Sequence, residues 1–225
     1  MCNLYAMTKG QQAMRDLAQA LELGAATDQL GNLPVLSELY PDAAAPIIGL
    51  TRSAAPAPIL SLARWGMPSP AFALEGKSVD RGITNIRNTA SPHWRRWLAP
   101  PYRCLVPFTA FAEHVKTATG FQPLWFAPTD TDLACFAGIA TRWTGMRKRA
   151  EGEVTITVFG FLTCAPNADV APHHPKAMPV ILTDAADMRA WLTADWAEAK
   201  ALQRPLADGA LRLLGFAGAP PPLTP

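Results

Sequence analysis

Apolar residues along this chain mostly come in short runs that alternate with polar or small ones, and only at the two ends do they recur every three or four positions. Period two means strands with one buried face, and period 3.6 means helices with a buried stripe. Residues 2–7 (CNLYAM) read as extended, followed by a helix that Thr8 and Gln11 would open as a capping box, with Met14, Leu17, Ala18 and Leu21 on one face. A polar, proline-spotted stretch over 24–45 reads as loop. APIIGL (45–50) and APILSLARWGM (57–67) then read as two strands of a hairpin. SPHWRRWL (91–98) has Ser91 as N-cap and Pro92 at the first helical position, which predicts a short helix exposing Arg95 and Arg96. Further strand-like runs are YRCLVPFTAFAEH (102–114), PLWFA (123–127), DLACFAGIATRW (132–143), EVTITVFGFLTC (153–164) and AMPVILT (177–183). Thr183 is placed to cap a helix through residue 193, a second helical stretch covers about 194–203, and the tail from 216 to 225 reads as loose.

Many strands without regular βα alternation, framed by helices, predict an α+β fold: one domain over 1–215 with a mostly antiparallel, barrel-like sheet at its core. Length agrees, since 225 residues suffice for one sizeable domain. Twenty-two prolines suit short strands and defined turns. With 49% hydrophobic and 17% charged residues, and no apolar window near the ~18 residues that a membrane span needs, the chain reads as globular with no membrane partner. The N-terminus lacks the charged and apolar regions of an export signal, so the expected location is cytoplasmic. Cys104, Cys135 and Cys164 lie in apolar runs and read as buried reduced thiols. No C-x-x-C occurs, and His173 and His174 are adjacent, so the sequence predicts neither a metal site nor a cofactor. A net charge of +2 permits an anionic partner without demanding one.

Cys2 changes the picture. Loss of Met1 would leave it with a free α-amine and a thiol on adjacent carbons, with reference pKa values of about 7.7–8.0 and about 8.5. Such a 1,2-aminothiol condenses with an aldehyde to an imine, and the sulfur closes on the imine carbon as a thiazolidine. Three other segments set reactive or polar groups in apolar surroundings: Thr84–Asn88, Phe111–His114 and His173–Lys176. On a strand, Asn85 and Arg87 share a face that suits an anion and Asn88 takes the other; a structural ion pair is the competing reading for Arg87. Glu113 ends an apolar run where desolvation would raise its pKa, and His174, next to AMPVIL, is a candidate proton carrier.

MCNLY at the start, RWGMP (64–68), TNIRN (84–88), RCLVPFTAFAEH (103–114) and APHHPKAMPVIL (171–182) together resemble the SOS response-associated peptidase (SRAP) family of abasic-site-processing proteins, in its order and spacing from Met1 to about Leu192. The resemblance implies a SRAP fold and a monomer that binds single-stranded DNA containing abasic sites and associates with the nucleoid when bound. It implies that Cys2, exposed by autoproteolytic or aminopeptidase loss of Met1, forms a thiazolidine cross-link with the ring-opened lesion during the DNA damage response. It carries catalytic roles to Cys2, Asn85, Glu113 and His174, and phosphate contact to Arg87. Trp65 and Gly66 would border the DNA groove, and Pro46 would lie in the loop after the first helix. Asn88 and His114 replace the glutamate and tryptophan common in N-x-R-x-E and F-Y-E-W, and Thr109-Ala110 replaces the usual Asp-Gly. His174 is also one residue farther from its Met-Pro than usual. Loss of a stacking tryptophan would remove roughly 1–3 kcal/mol per base, so the resemblance implies weaker DNA contacts at Asn88 and His114. The competing reading is an N-terminal-cysteine peptidase or amidase in which Cys2 attacks an amide, and an associated lyase activity is a further possibility for the same site. A non-catalytic DNA-binding module, with Cys2 incidental, is the third.

Overall fold

The computed structural model describes residues 2–216. In chain order its strands are β1 (Leu4–Met7), β2 (Thr27–Asp28), β3 (Leu36–Leu39), β4 (Ala44–Leu50), β5 (Pro58–Trp65), β6 (Asn85–Ile86), β7 (Arg103–Phe108), β8 (Ala110–Thr117), β9 (Gly120–Pro128), β10 (Ala134–Met146), β11 (Glu153–Cys164), β12 (Met178–Pro179), β13 (Ile181–Leu182) and β14 (Leu211–Gly215). The helices are α1 (Gln11–Ala20), α2 (Ala71–Leu74), α3 (Pro92–Arg95), α4 (Ala185–Thr193) and α5 (Trp196–Ala199).

The long alternating runs build a closed ring. Strand β4 pairs antiparallel with β5 and β7, β7 with β10, and β10 with β11 from Gly138 opposite Phe161 to Met146 opposite Glu153. The circle closes where β11 runs parallel to β5, Val158 opposite Arg64 and Phe159 opposite Trp65. Closure leaves no free edges in this five-stranded barrel. Where β5 stops, β6 takes over the same side of β11, with Asn85 opposite Phe161. The other sheet runs β14-β9-β8-β1-β3, and Tyr5 of β1 plugs its ring into the barrel core, edge-on to Trp65 at 5.2 Å and to Phe136 at 5.6 Å. The mostly antiparallel, barrel-like α+β architecture expected from the sequence is the one found.

Several boundaries differ for identifiable reasons. The run 102–114 is two strands, because at Thr109 the chain leaves the barrel for the second sheet. There the Thr109 amide donates to Ala6 O at 2.8 Å, and its hydroxyl bonds the Thr8 hydroxyl at 3.1 Å. That contact and the 2.7 Å bond from Gln11 Nε2 to Asp28 Oδ2 occupy both residues of the expected capping box, so α1 starts at an N-cap Gly10 with no side-chain cap. Met14, Ala18 and Leu21 are buried as expected, with Leu17 packed against them. The 24–45 loop contains β2 and β3, each short and at a sheet margin, where alternation leaves little trace. Asp184, not Thr183, caps α4 by accepting from the Asp187 amide, since its carboxylate is the better acceptor. Strand β14, which the sequence reading lacked, adds to β9 with Leu213 opposite Phe126. Of the expected loose tail, only Phe216 lies within the described residues.

Candidate active site

Strand β1 carries Cys2 two residues ahead of its start, and its pairing with β8 sets Leu4 opposite Ala112. That register continued sets Asn3 beside Glu113, whose carboxyl is close enough to the preceding Cys2 for its charge to act on the thiol. Alternation on β8 turns Glu113 inward with Phe111, while His114 faces out and is exposed. Cys2 is fully buried and Glu113 is 1% exposed. The Cys2 thiol donates weakly to Leu4 O at 3.5 Å. The Asn85 amide fixes the same residue from the barrel side: Nδ2 donates to Cys2 O at 2.8 Å and to Thr84 Oγ1 at 2.8 Å, with Asn3 Oδ1 at 3.4 Å. Thr84 Oγ1 in turn donates to Asn3 Oδ1 at 3.2 Å, and Trp65 Nε1 to Thr84 O at 3.2 Å. Asn85 Oδ1 is buried with no hydrogen-bond partner among the described residues, which leaves an acceptor at the site.

His174 arrives from the segment between β11 and β12. Its Nδ1 lies 2.8 Å from Ala177 O; a carbonyl only accepts, so Nδ1 holds the proton and a neutral ring keeps Nε2 as its acceptor. Nε2 sits 3.7 Å from Glu113 Oε2. Burial holds the Glu113 carboxyl above its ordinary pKa, opposed by neighbouring positive charge that includes His174. Burial, reinforced by the Glu113 charge, pushes the Cys2 thiol well above its ordinary value. Burial thus shifts both groups toward their neutral forms relative to water.

The four expected catalytic residues thus come together, three from different elements and His174 from a turn. The other expected contacts distribute differently. Strand β6 is only two residues long, so alternation does not put Asn85 and Arg87 on one face: Asn85 turns inward to Cys2 and Arg87 is exposed. Asn88 is exposed as well, with Oδ1 accepting from the Ala90 amide in the following turn. Trp65 is buried between Tyr5, Phe159 and Phe161, and it reaches the site only through Thr84. Gly66 is buried too; its amide donates to Phe159 O at 2.7 Å. Pro46 is not in a loop but within β4, opposite Leu62, because the strand begins two residues before it. Asn3, Thr84 and Ala177 complete the hydrogen-bond frame. The first two lie inside segments that their polar composition singled out, whereas the Ala177 carbonyl has no signal in a sequence. Cys104, Cys135 and Cys164 are buried free thiols.

The chain is thus a barrel-based α+β protein whose second residue, a cysteine, is held by an amide beside a carboxyl–imidazole pair. Residues 1–214 match the family model described as SOS response associated peptidase (SRAP), and the chain belongs to that family. Solved structures share the fold. A protein from Bacteroides thetaiotaomicron superposes with a TM-score of 0.69 at 20% identity, over 94% of this chain and 90% of that one. One from Bordetella bronchiseptica gives 0.69 at 25% identity over 95% and 99%, and a phage-related protein of the same organism gives 0.67 at 21% over 96% and 94%. No curated protein matches the chain. No helix among the described residues is long and apolar enough to cross a membrane.

Proposed function

We propose that this protein, after losing Met1, captures the ring-opened aldehyde of abasic sites in single-stranded DNA through Cys2. The observation that carries the reading is the convergence of Asn85, Glu113 and His174 on the second residue of the chain. The Asn85 amide on Cys2 O fixes the cysteine so that its amine and thiol meet the same carbon. The amine adds to the aldehyde carbon and water leaves, its departing oxygen taking the Glu113 carboxyl proton, which the nitrogen gives back as the neutral imine forms. Cys2 Sγ then adds to the imine carbon while its proton passes, through the carboxyl and imidazole, to the ring nitrogen; one water is released overall. His174 Nε2 and Glu113, 3.7 Å apart, are suited to pass the proton that opens the sugar. Exposed Arg87, whose charge opposes the burial that raises the nearby Cys164 thiol to about 12, is available for backbone phosphate. The protein would thereby shield the lesion during the DNA damage response as a monomer in the cytoplasm, on the nucleoid when bound.

The peptidase reading keeps the same residues and draws on the family's description. In it Cys2 Sγ attacks an amide carbonyl and His174 protonates the leaving amine. A denaturing gel separates the two. Wild type mixed with single-stranded DNA carrying one abasic site is expected to give a heat-stable shifted band that disappears in Cys2→Ala and with undamaged DNA. Absence of that band from protein already lacking Met1, together with turnover of a peptide amide, would overturn capture in favour of hydrolysis.

A further inference from the structure

Two adjoining cavities of about 580 and 570 Å³ open at the tip of the β10–β11 hairpin and share Val79, Arg81 and Arg149 in their walls. None of Cys2, Asn85, Glu113 and His174 lines either one. Lys77 and Ser78 complete one wall, Arg147 and Lys148 the other, and Asp42 is the single acid among the lining residues. That acid is already engaged, 2.6 Å from Arg64 and 2.9 Å from Lys148. Glu151 is 2.6 Å from Arg64, and Asp80 is 3.7 Å from Arg147. The local carboxylates are thus matched to Arg64, Arg147 and Lys148, while Arg81, Arg149 and Lys77 have no ion pair among the described residues. Arg149 donates only to Ser78 Oγ at 3.3 Å.

The floor of the basin is built rather than loose. Arg147 is buried, its face 4.3 Å above the Trp143 ring, and it donates to Asp80 O at 2.9 Å and to Gly66 O. A Cβ at Gly82 would collide with Arg147 Nη1, so the close packing depends on that glycine. The segment that passes over this floor runs straight on to Asn85. Arg81 to Asn85 is four residues, at most about 14 Å of extended chain. Two exposed guanidinia in a preformed basin suit a phosphate, because each planar fork can donate two N–H bonds to a pair of its oxygens.

Resting on the capture reading above, we propose that the Arg81–Arg149 basin is a second phosphate site. It grips the backbone of the same single strand a few nucleotides from the lesion held at Cys2. It supplies affinity and strand direction, not chemistry.

The test is fluorescence anisotropy of a labelled, undamaged single strand titrated with full-length protein across a salt series. Wild type is compared with Arg81→Ala/Arg149→Ala and with Arg189→Ala/Arg204→Ala, which removes the same charge from α4 and its surroundings. The basin variant is expected to bind about tenfold more weakly, and its log K against log salt should be shallower by roughly 1.4, two phosphates at about 0.7 each. The control should match wild type, and saturating lesion DNA should still give the Cys2-dependent adduct with the basin variant. Wild-type affinity and slope in the basin variant, or an equal loss in the control, would overturn the basin and leave capture standing. A wild type that neither binds the strand nor forms the adduct would overturn both.

Discussion

Glu113 is a carboxyl that pairing and burial pull in opposite directions, with burial the larger influence. Its raised pKa means the native state holds the proton more tightly than the unfolded chain. Its contribution to stability is therefore full below the unfolded carboxylate pKa and is lost as pH rises through the native value. Glu113→Gln removes that loss, so its melting temperature is expected to climb relative to wild type as pH rises above the ordinary carboxylate range of about 4. A difference independent of pH would contradict the assignment. The same substitution removes the proton donor and is expected to slow adduct formation by 10²–10⁴-fold, the range for general acid catalysis. For Cys2, the raised pKa predicts slow alkylation at neutral pH, quickening as pH rises; fast labelling by iodoacetamide at pH 7 would contradict a buried thiol. Asn85→Ala deletes the amide that fixes Cys2 and should destabilise the protein by about 1–3 kcal/mol in chemical denaturation.

Elements show what was legible in the sequence and what was not. Long alternating runs gave β10 and β11 almost whole, because two-residue periodicity over a dozen positions has no helical counterpart. Strands β2, β3 and β14 were not legible: two to five residues hold too few alternations, and their pairing depends on distant partners. The break at Thr109 was hidden for a related reason. Nothing in FTAFA marks a change of sheet; only the contact with β1, about a hundred residues away, makes the turn. Thr109→Val keeps the shape and removes the hydroxyl that serves Thr8, so a loss of about 1–3 kcal/mol is expected in denaturant melts, and an unchanged midpoint would contradict the pivot. At the site, Cys2 stood out as the residue that loss of Met1 would expose and Asn85, Glu113 and His174 as polar groups in apolar surroundings, while their roles came from the resemblance to the SRAP family. The burial of Trp65 and Gly66 did not stand out, since only closure of the barrel through β11 and β5 puts them inside. Gly82→Ala tests that packing, because a methyl group would meet both Arg147 and the Gly66 backbone at a positive φ of 78°. A loss of about 1–3 kcal/mol is expected there, and a neutral effect would contradict a rigid basin floor.

At the scale of the whole molecule, the barrel and the second sheet supply different halves of one site. The barrel brings Asn85 on β6 along β11, and the second sheet brings Cys2 and Glu113 on adjacent strands. Tyr5, seated against Trp65 and Phe136, locks the two together three residues from the cysteine. A fold that joins its sheets this way holds Cys2, near the chain terminus where proteins are ordinarily least ordered, within a buried frame. A net charge of only +2 fits the same picture, because attraction for a phosphate chain depends on where cations cluster and not on their sum.

Covalent capture by Cys2 is tested by intact-mass spectrometry of the protein incubated with a single-stranded oligonucleotide bearing one abasic site. One adduct is expected, weighing the protein without Met1 plus the oligonucleotide less one water, with the oligonucleotide mapped to Cys2. An unmodified protein that has lost Met1, or an adduct that survives Cys2→Ala, would contradict it.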